Sequence, residues 1–244
     1  MSAQAQSPGR RPDYGLDAPP VIRNLALAAI ALAVGAQFLP DRLTWFAWGT
    51  GTLCGLEAAA MVWASRVGKI RQRERLLDRV HWPGVSRVLD VGCGRGLLAI
   101  GAARRLETDG MAVGVDLWQA ADLAGNHPSA AAENARREAV SDRVRIVTGD
   151  MRALPLADRS VDAVLSSLAI HNVKGEADRA RAIGEIARVL KPGGVVVIQD
   201  FQNVQRYAAE LQSNGITVEH ISGLQFRIFP PARYLVARKP LRPN

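Results

Sequence analysis

Cysteine is scarce in this chain: 244 residues hold two. Cys54 lies in an apolar run and Cys93 in a glycine-rich turn. Two such residues make no disulfide framework, and neither has metal-ligand spacing, which points to a reducing compartment. Histidine is equally sparse. The four copies are scattered, with no His/Cys cluster, so no structural metal is expected. Aromatic residues make up only 5% of the chain, and no aromatic-rich or motif-like surface for nucleic acid stands out.

Apolar residues, by contrast, are plentiful at 48%, and the formal net charge is +8. The positive charge is concentrated. Arg66, Lys69, Arg71, Arg73, Arg75 and Arg79 crowd one segment, against Glu74 and Asp78. A basic segment directly after a hydrophobic stretch is attracted to anionic lipid headgroups. That reading is preferred here to nucleic-acid binding.

Residues 1–20 are rich in Pro, Gly, Arg and Gln and are expected to form a flexible leader. Residues 21–39 are almost wholly apolar apart from Arg23 and Asn24, and residues 43–64 are apolar again apart from Glu57 and small polar residues. Pro40, Asp41 and Arg42 form a compact turn between them. A bilayer core needs roughly 20 helical residues, so residues 21–64 read as a two-helix membrane hairpin. Trp45, Trp48 and Trp63 stand towards the ends of the second run, where interfacial aromatics are common. A signal peptide fits less well, because Phe38-Leu39-Pro40 is no small-residue cleavage site. The rival is a pair of core helices packed on the following domain, which the lone carboxylate of Glu57 favours. Positive charge lies before the hairpin and after it, which places both ends, and the domain beyond the basic linker helix at 65–84, in the cytoplasm.

From residue 85 to residue 244, strand-like and helix-like segments alternate. Strands are expected at 87–91, 112–116, 144–148, 161–166 and 195–198, with helices at 97–106, 128–140 and 177–190. Lys191-Pro192-Gly193-Gly194 reads as a turn, and two further strand-like runs occupy 217–221 and 234–237. This order favours a parallel sheet covered by helices on both faces. Ligands of such sheets bind at the carboxyl ends of the strands.

The first of these strands ends in Asp90-Val-Gly92-Cys93-Gly94-Arg95-Gly96. Three glycines in five residues, between a strand and a helix, let a ligand approach the backbone and face the N–H groups of the helix start. The spacing is not that of a dinucleotide fingerprint, because Leu97 holds the place of its third glycine. It resembles the first motif of class I S-adenosylmethionine (SAM)-dependent methyltransferases. Asp116 at the end of the second strand, Gly149-Asp150-Met151 after the third, the run 152–162 and Arg188-Val-Leu-Lys-Pro-Gly-Gly194 follow in that family's order. Residues 149–194 look most like quinone-biosynthesis and related small-molecule enzymes.

The resemblance implies an α/β, Rossmann-like fold with a mostly parallel seven-stranded sheet, preceded by the helical hairpin. It implies SAM as cofactor, held by Asp90, Gly92, Cys93, Gly94 and Gly96, with Asp116 on the ribose hydroxyls. Leu117, Asp150, Met151 and Ser166 complete the implied contacts, Asp150 on the adenine amino group and Met151 on the ring. Substrate contacts belong after the fourth strand, where His171 is a candidate base and Asn172 a candidate orienting group. Trp118, Asp122 and Asn126 fall in a loop expected to lie over the cofactor, and Asp200 follows the fifth strand as a helper of a base or a helix cap. Residues 226–231 line a substrate mouth or close the core. The expected activity is methyl transfer to a small-molecule or lipid-like acceptor at the membrane. The alternatives are a non-catalytic SAM-binding scaffold and a protein or nucleic-acid methyltransferase. The latter is disfavoured, since no Asn-Pro-Pro-Tyr-type motif follows the fourth strand.

Overall fold

The computed structural model of the chain describes residues 11–119, 123 and 125–241. Seven strands form one sheet: β1 (Arg87–Val91), β2 (Met111–Asp116), β3 (Val144–Thr148), β4 (Val161–Ser167), β5 (Leu190–Asp200), β6 (Thr217–Ile221) and β7 (Arg233–Arg238). Their order is β3-β2-β1-β4-β5-β7-β6. The first five are parallel, and β7 runs antiparallel between β5 and β6. This is the expected Rossmann-like architecture. The chain reverses its direction of travel between β1 and β4, and a crevice opens there at the strand ends.

Alternation along each strand builds two cores. In β1, Leu89 and Val91 point to the face covered by α6 (Glu176–Val189) and α7 (Val204–Ser213), where Ile183, Ile186 and Leu211 are buried. Val88 points to the other face, against Leu98, Ile100, Leu76 and Leu77. Those residues stand on α4 (Leu97–Ala103) and α3 (Lys69–Leu77). The short helix α5 (Pro128–Arg137) adds Ala135 to this face. The stretch from Lys191 to Gly194, expected as a turn, belongs to β5. Its left-handed Gly193 and a register shift opposite Val161 and Ala163 let the strand begin early.

Two helices precede α3: α1 (Pro19–Gly35) and α2 (Asp41–Trp63). They pack on each other through small residues. A Cβ on Gly51 would stand 3.2 Å from Leu32 Cβ, and one on Gly55 3.8 Å from Ala29 Cβ. Small residues four apart let two helix backbones approach closely. The outer faces stay bare: Phe38 is 84% exposed and Trp45 80%. The pair is therefore not a core element of the domain. Among the described residues, one helical stretch, Pro19–Phe38, is long and apolar enough to cross a membrane, with mean hydropathy 1.7. The second helix, read from the sequence as another span, falls short of that mark because Glu57 and several glycines and threonines dilute it.

Beyond α2 the helix does not stop. A π-helical turn at Ala64–Gly68 leads directly into α3. A Cβ on Gly68 would lie 1.7 Å from the carbonyl oxygen of Arg227, so this turn presses on the segment before β7.

Residues 11–18 depart from the expected flexible leader. Tyr14 is buried, and its hydroxyl donates to Glu138. Asn134 exchanges hydrogen bonds of 2.9 Å with the backbone of Asp13. The buried Lys69 ammonium donates to the carbonyls of Tyr14 and Gly15, both at 2.8 Å, and to Asp17 at 3.1 Å. An ammonium group out of water needs such acceptors, and the leader supplies them.

Candidate active site

A single cavity of about 640 Å³ occupies the crevice at the strand ends. That size lies within the range of small-molecule sites.

One half of it is built from β1, β2 and β3. The backbone turns after β1 through Gly92, with φ +71°, where a Cβ would fall 2.2 Å from Ala169 Cβ. Only glycine fits, because any side chain would push the loop after β4 out of place. Gly94 donates its N–H to Asp116 Oδ2 at 2.8 Å, which ties the loop to the end of β2. Asp116 Oδ1 accepts from Trp118 N at 2.6 Å and from Asn126 Nδ2 at 3.3 Å. Asn126 is buried, and its Oδ1 has no partner among the described residues, an acceptor beside the cavity. Gly96 is left-handed at φ +84° and starts α4.

Asp90 is buried, and its Oδ2 accepts the Ala99 N–H at 2.8 Å. Burial pushes its carboxyl up to about 7, with a smaller upward push from Asp116 and an opposing pull from the Ala99 N–H. Cys93 packs against Gly114, and burial together with Asp90 and Asp116 holds its thiol protonated. Leu117, 47% exposed, lines the rim, and Met151 lines the wall. Asp150 also borders the cavity, but Arg152 holds both its oxygens, with Nη2 to Oδ2 at 2.6 Å, and lowers its pKa. Asp122 lies outside the described residues.

Ser166 is a correction. It does not border the cavity; its hydroxyl is fully buried and donates to the Val91 carbonyl at 2.8 Å, tying β4 to β1. The next residue, Ser167, lines the cavity instead, with Leu168 and Ala169.

The other half comes from the ends of β4 and β5 and from α2 and α3. His171 and Asn172 line it, as the sequence suggested. His171 Nδ1 stands 2.9 Å from Asp200 Oδ1, and the Asp200 side chain is wholly buried. Asp200 also accepts from the backbone N–H of Phe201 at 2.8 Å and of His171 at 3.1 Å, and from the Tyr207 hydroxyl at 3.3 Å. The His171–Asp200 contact is close but not aligned as a hydrogen bond, and Nδ1 has no hydrogen-bond partner among the described residues. Phe201 packs edge-on against the ring at 4.5 Å. Ile228, Phe229 and Pro230, the middle of the stretch 226–231, add an apolar wall.

Sequence reasoning missed Met61, Gln72 and Tyr14, which also border this space. Gln72 carried one signal: it precedes Leu76 by one helical turn, on the buried stripe of α3. The basic cluster divides as well. Lys69 and Arg73 are buried in the contacts that dock the leader, while Arg66, Arg71, Arg75 and Arg79 stay exposed. Among the described residues, no group of three or more His, Cys, Asp or Glu side chains is placed to hold a metal.

Residues 89–198 match the family model described as "Methyltransferase domain". That stretch is similar to the methyltransferase domains of this family. Two curated relatives illustrate its kin. The chain is 35% identical over 130 residues to "Methyltransferase GfsG" of Streptomyces halstedii, covering 53% of this chain and 43% of that protein. It is 37% identical over 127 residues to the "2-phytyl-1,4-naphtoquinone methyltransferase" of Synechocystis, covering 50% and 49%. The chain thus spans less than half the length of these relatives. Among solved structures, the cyclase SpnF superposes with a TM-score of 0.57 at 22% identity, over 71% of this chain and 82% of that one. The cofactor that the sequence resemblance implies is S-adenosylmethionine. The half-cavity fits that molecule: glycine turns admit it closely, Asp116 stands at the strand end, and Asn126 Oδ1 awaits a donor.

Proposed function

We propose that the chain methylates a small, hydroxylated or lipid-like acceptor of quinone type, using SAM, while anchored to a membrane through residues 21–64. The domain faces the cytoplasm, and the exposed arginines from Arg66 to Arg79 rest on the lipid surface. One observation carries this reading. A single cavity joins the glycine loop and Asp116 to the His171–Asp200 pair and to Met61, at the base of the apolar hairpin. The naphthoquinone enzyme among the relatives supports the acceptor class.

Bound SAM would supply a methyl group activated on a sulfonium, the C–S bonding electrons remaining on sulfur as the methyl passes to the acceptor. The protein positions both partners in line. Asp90, the loop 92–96, Asp116 and Asn126 hold the cofactor side, and Met151 and Leu117 wall it. An acceptor hydroxyl gives its proton to His171 Nε2, and the buried Asp200 carboxylate stabilises the imidazolium that forms. Asn172 orients the acceptor. Met61, Phe201 and residues 228–230 exclude water and receive its apolar part.

The test is transfer from methyl-labelled SAM by the full chain in detergent, given a membrane extract and, separately, a soluble metabolite extract. Enzyme-dependent label in the organic phase, lost in Asp116→Ala, is the expected result. Label confined to soluble metabolites removes the lipid-like acceptor and leaves the hairpin as an address. SAM binding with no label in either extract favours a non-methylating role, a use of this fold for which the similarity to a cyclase is a precedent.

A further inference from the structure

Three polar side chains link the helix that follows the hairpin to the floor of the cavity. Gln72, on α3, is 1% exposed and donates Nε2–H to Gln199 Oε1 at 2.6 Å. Gln199, on β5 and equally buried, donates its own Nε2–H to Ser167 Oγ at 3.1 Å. All three residues border the cavity. The chain has a direction. Because Ser167 Oγ accepts from Gln199, its own proton points away from that bond, and it meets no acceptor among the described residues. At the other end, Gln72 Oε1 is buried and has no partner among the described residues. Successive amide bonds of one sense polarise each other, which strengthens the terminal donor. Two buried amides with a lone acceptor at one end are costly to maintain for packing alone. Ser167 stands four residues before His171 on the same strand-end segment, beside the His171–Asp200 pair.

Building on the proposed methyl transfer, we propose that Ser167 is the pole that binds an oxygen of the acceptor, and that Gln199 and Gln72 are positioning residues that aim it. The ligand group is a phenolate or carbonyl oxygen on an apolar ring system, with the ring against Phe201 and residues 228–230. When His171 takes a proton from an acceptor hydroxyl, negative charge appears on oxygen. A hydroxyl donor fixed in a dry site stabilises that charge. Gln72 makes α3 a working part of the acceptor site.

The experiment uses the full chain in detergent with two probes: a 1,4-dihydroxynaphthalene and the matching naphthalene without oxygen. Binding of each is followed by fluorescence, SAM binding by calorimetry, and methyl transfer in parallel. Ser167→Ala is expected to weaken the dihydroxy probe about tenfold and to leave the bare ring and SAM unchanged. Ser167→Thr, which keeps the hydroxyl, restores binding. Gln72→Leu shifts affinity in the same direction by a smaller factor, with SAM affinity intact. A dihydroxy probe that binds Ser167→Ala as well as wild type, or that wild type does not prefer to the bare ring, overturns the proposal. Methyl transfer unaffected by Ser167→Ala overturns it while sparing the methyltransferase reading. Ser167-dependent binding without any methyl transfer upholds it and overturns that reading instead.

Discussion

Asp90 offers a test of the cofactor half that needs no substrate. Its carboxyl is raised from 3.8 to about 7, chiefly by burial. Below pH 3.8 both folded and unfolded chains hold this proton, so Asp90 costs nothing. Between that pH and 7 the unfolded chain ionises while the folded one does not. Stability therefore falls as pH rises through this window, and levels off above it. Three units at 1.36 kcal/mol each make the total loss about 4 kcal/mol. In Asp90→Asn that loss disappears, and the amide oxygen still accepts the Ala99 N–H. The new NH₂ group lies buried without a partner, a penalty of about 1–3 kcal/mol at every pH. The variant is thus less stable than wild type near pH 4 and more stable near pH 8, with a crossing between about pH 4.5 and 6. Each kcal/mol moves the melting temperature of a chain of this size by about 2–4 °C. Thermal unfolding of both proteins in one detergent, from about pH 4 to 8, reads the difference directly. Two curves that stay parallel, at a constant offset, refute the claim that Asp90 is a buried, reluctantly ionised acid.

Other outcomes follow from the same geometry. Gly92→Ala places a methyl group 2.2 Å from Ala169 Cβ in a left-handed backbone. Strain and overpacking together cost about 2–5 kcal/mol, visible as a lowered melting temperature and lost SAM binding in calorimetry. Asp200→Asn keeps the shape of the buried group but no longer stabilises a His171 imidazolium. If methyl transfer needs that base, kcat falls by about 10²-fold or more, and SAM affinity holds. An unchanged kcat in that variant removes the Asp200–His171 pair as the base.

The cofactor half of the site was legible because its signals are local. The glycine turn, Asp116 and Asp150 each sit at a strand end, and the topology of a parallel sheet brings strand ends together. The acceptor half was legible only in pieces. His171 and Asp200 each stood out, yet their pairing depends on β4 lying beside β5, which no local pattern declares. Ser166 and Ser167 show how fine the margin is. Neighbouring residues of a strand face opposite ways, and nothing in the pair of serines says which one meets the cavity. Residues 11–18 were misjudged for another reason. They are mostly polar and turn-forming, yet the carbonyls of Tyr14 and Gly15 answer a buried Lys69 more than 50 positions away. Such an order depends on a partner's need, not on the segment's own propensity.

The unbroken helix from Asp41 to Leu77, with its π turn at Ala64–Gly68, has a consequence for how the protein tolerates change. A flexible tether would forgive gained or lost residues. A continuous helix counts them, since each one turns everything beyond it by about 100°. One residue added or removed between Met61 and Gln72 would swing Gln72 away from Gln199, or turn the hairpin against the sheet. The π turn, pressed against Arg227, sets the angular phase between the two. The hairpin is thus geared to the cavity, and another helical pair grafted onto this domain would have to arrive in step with α3.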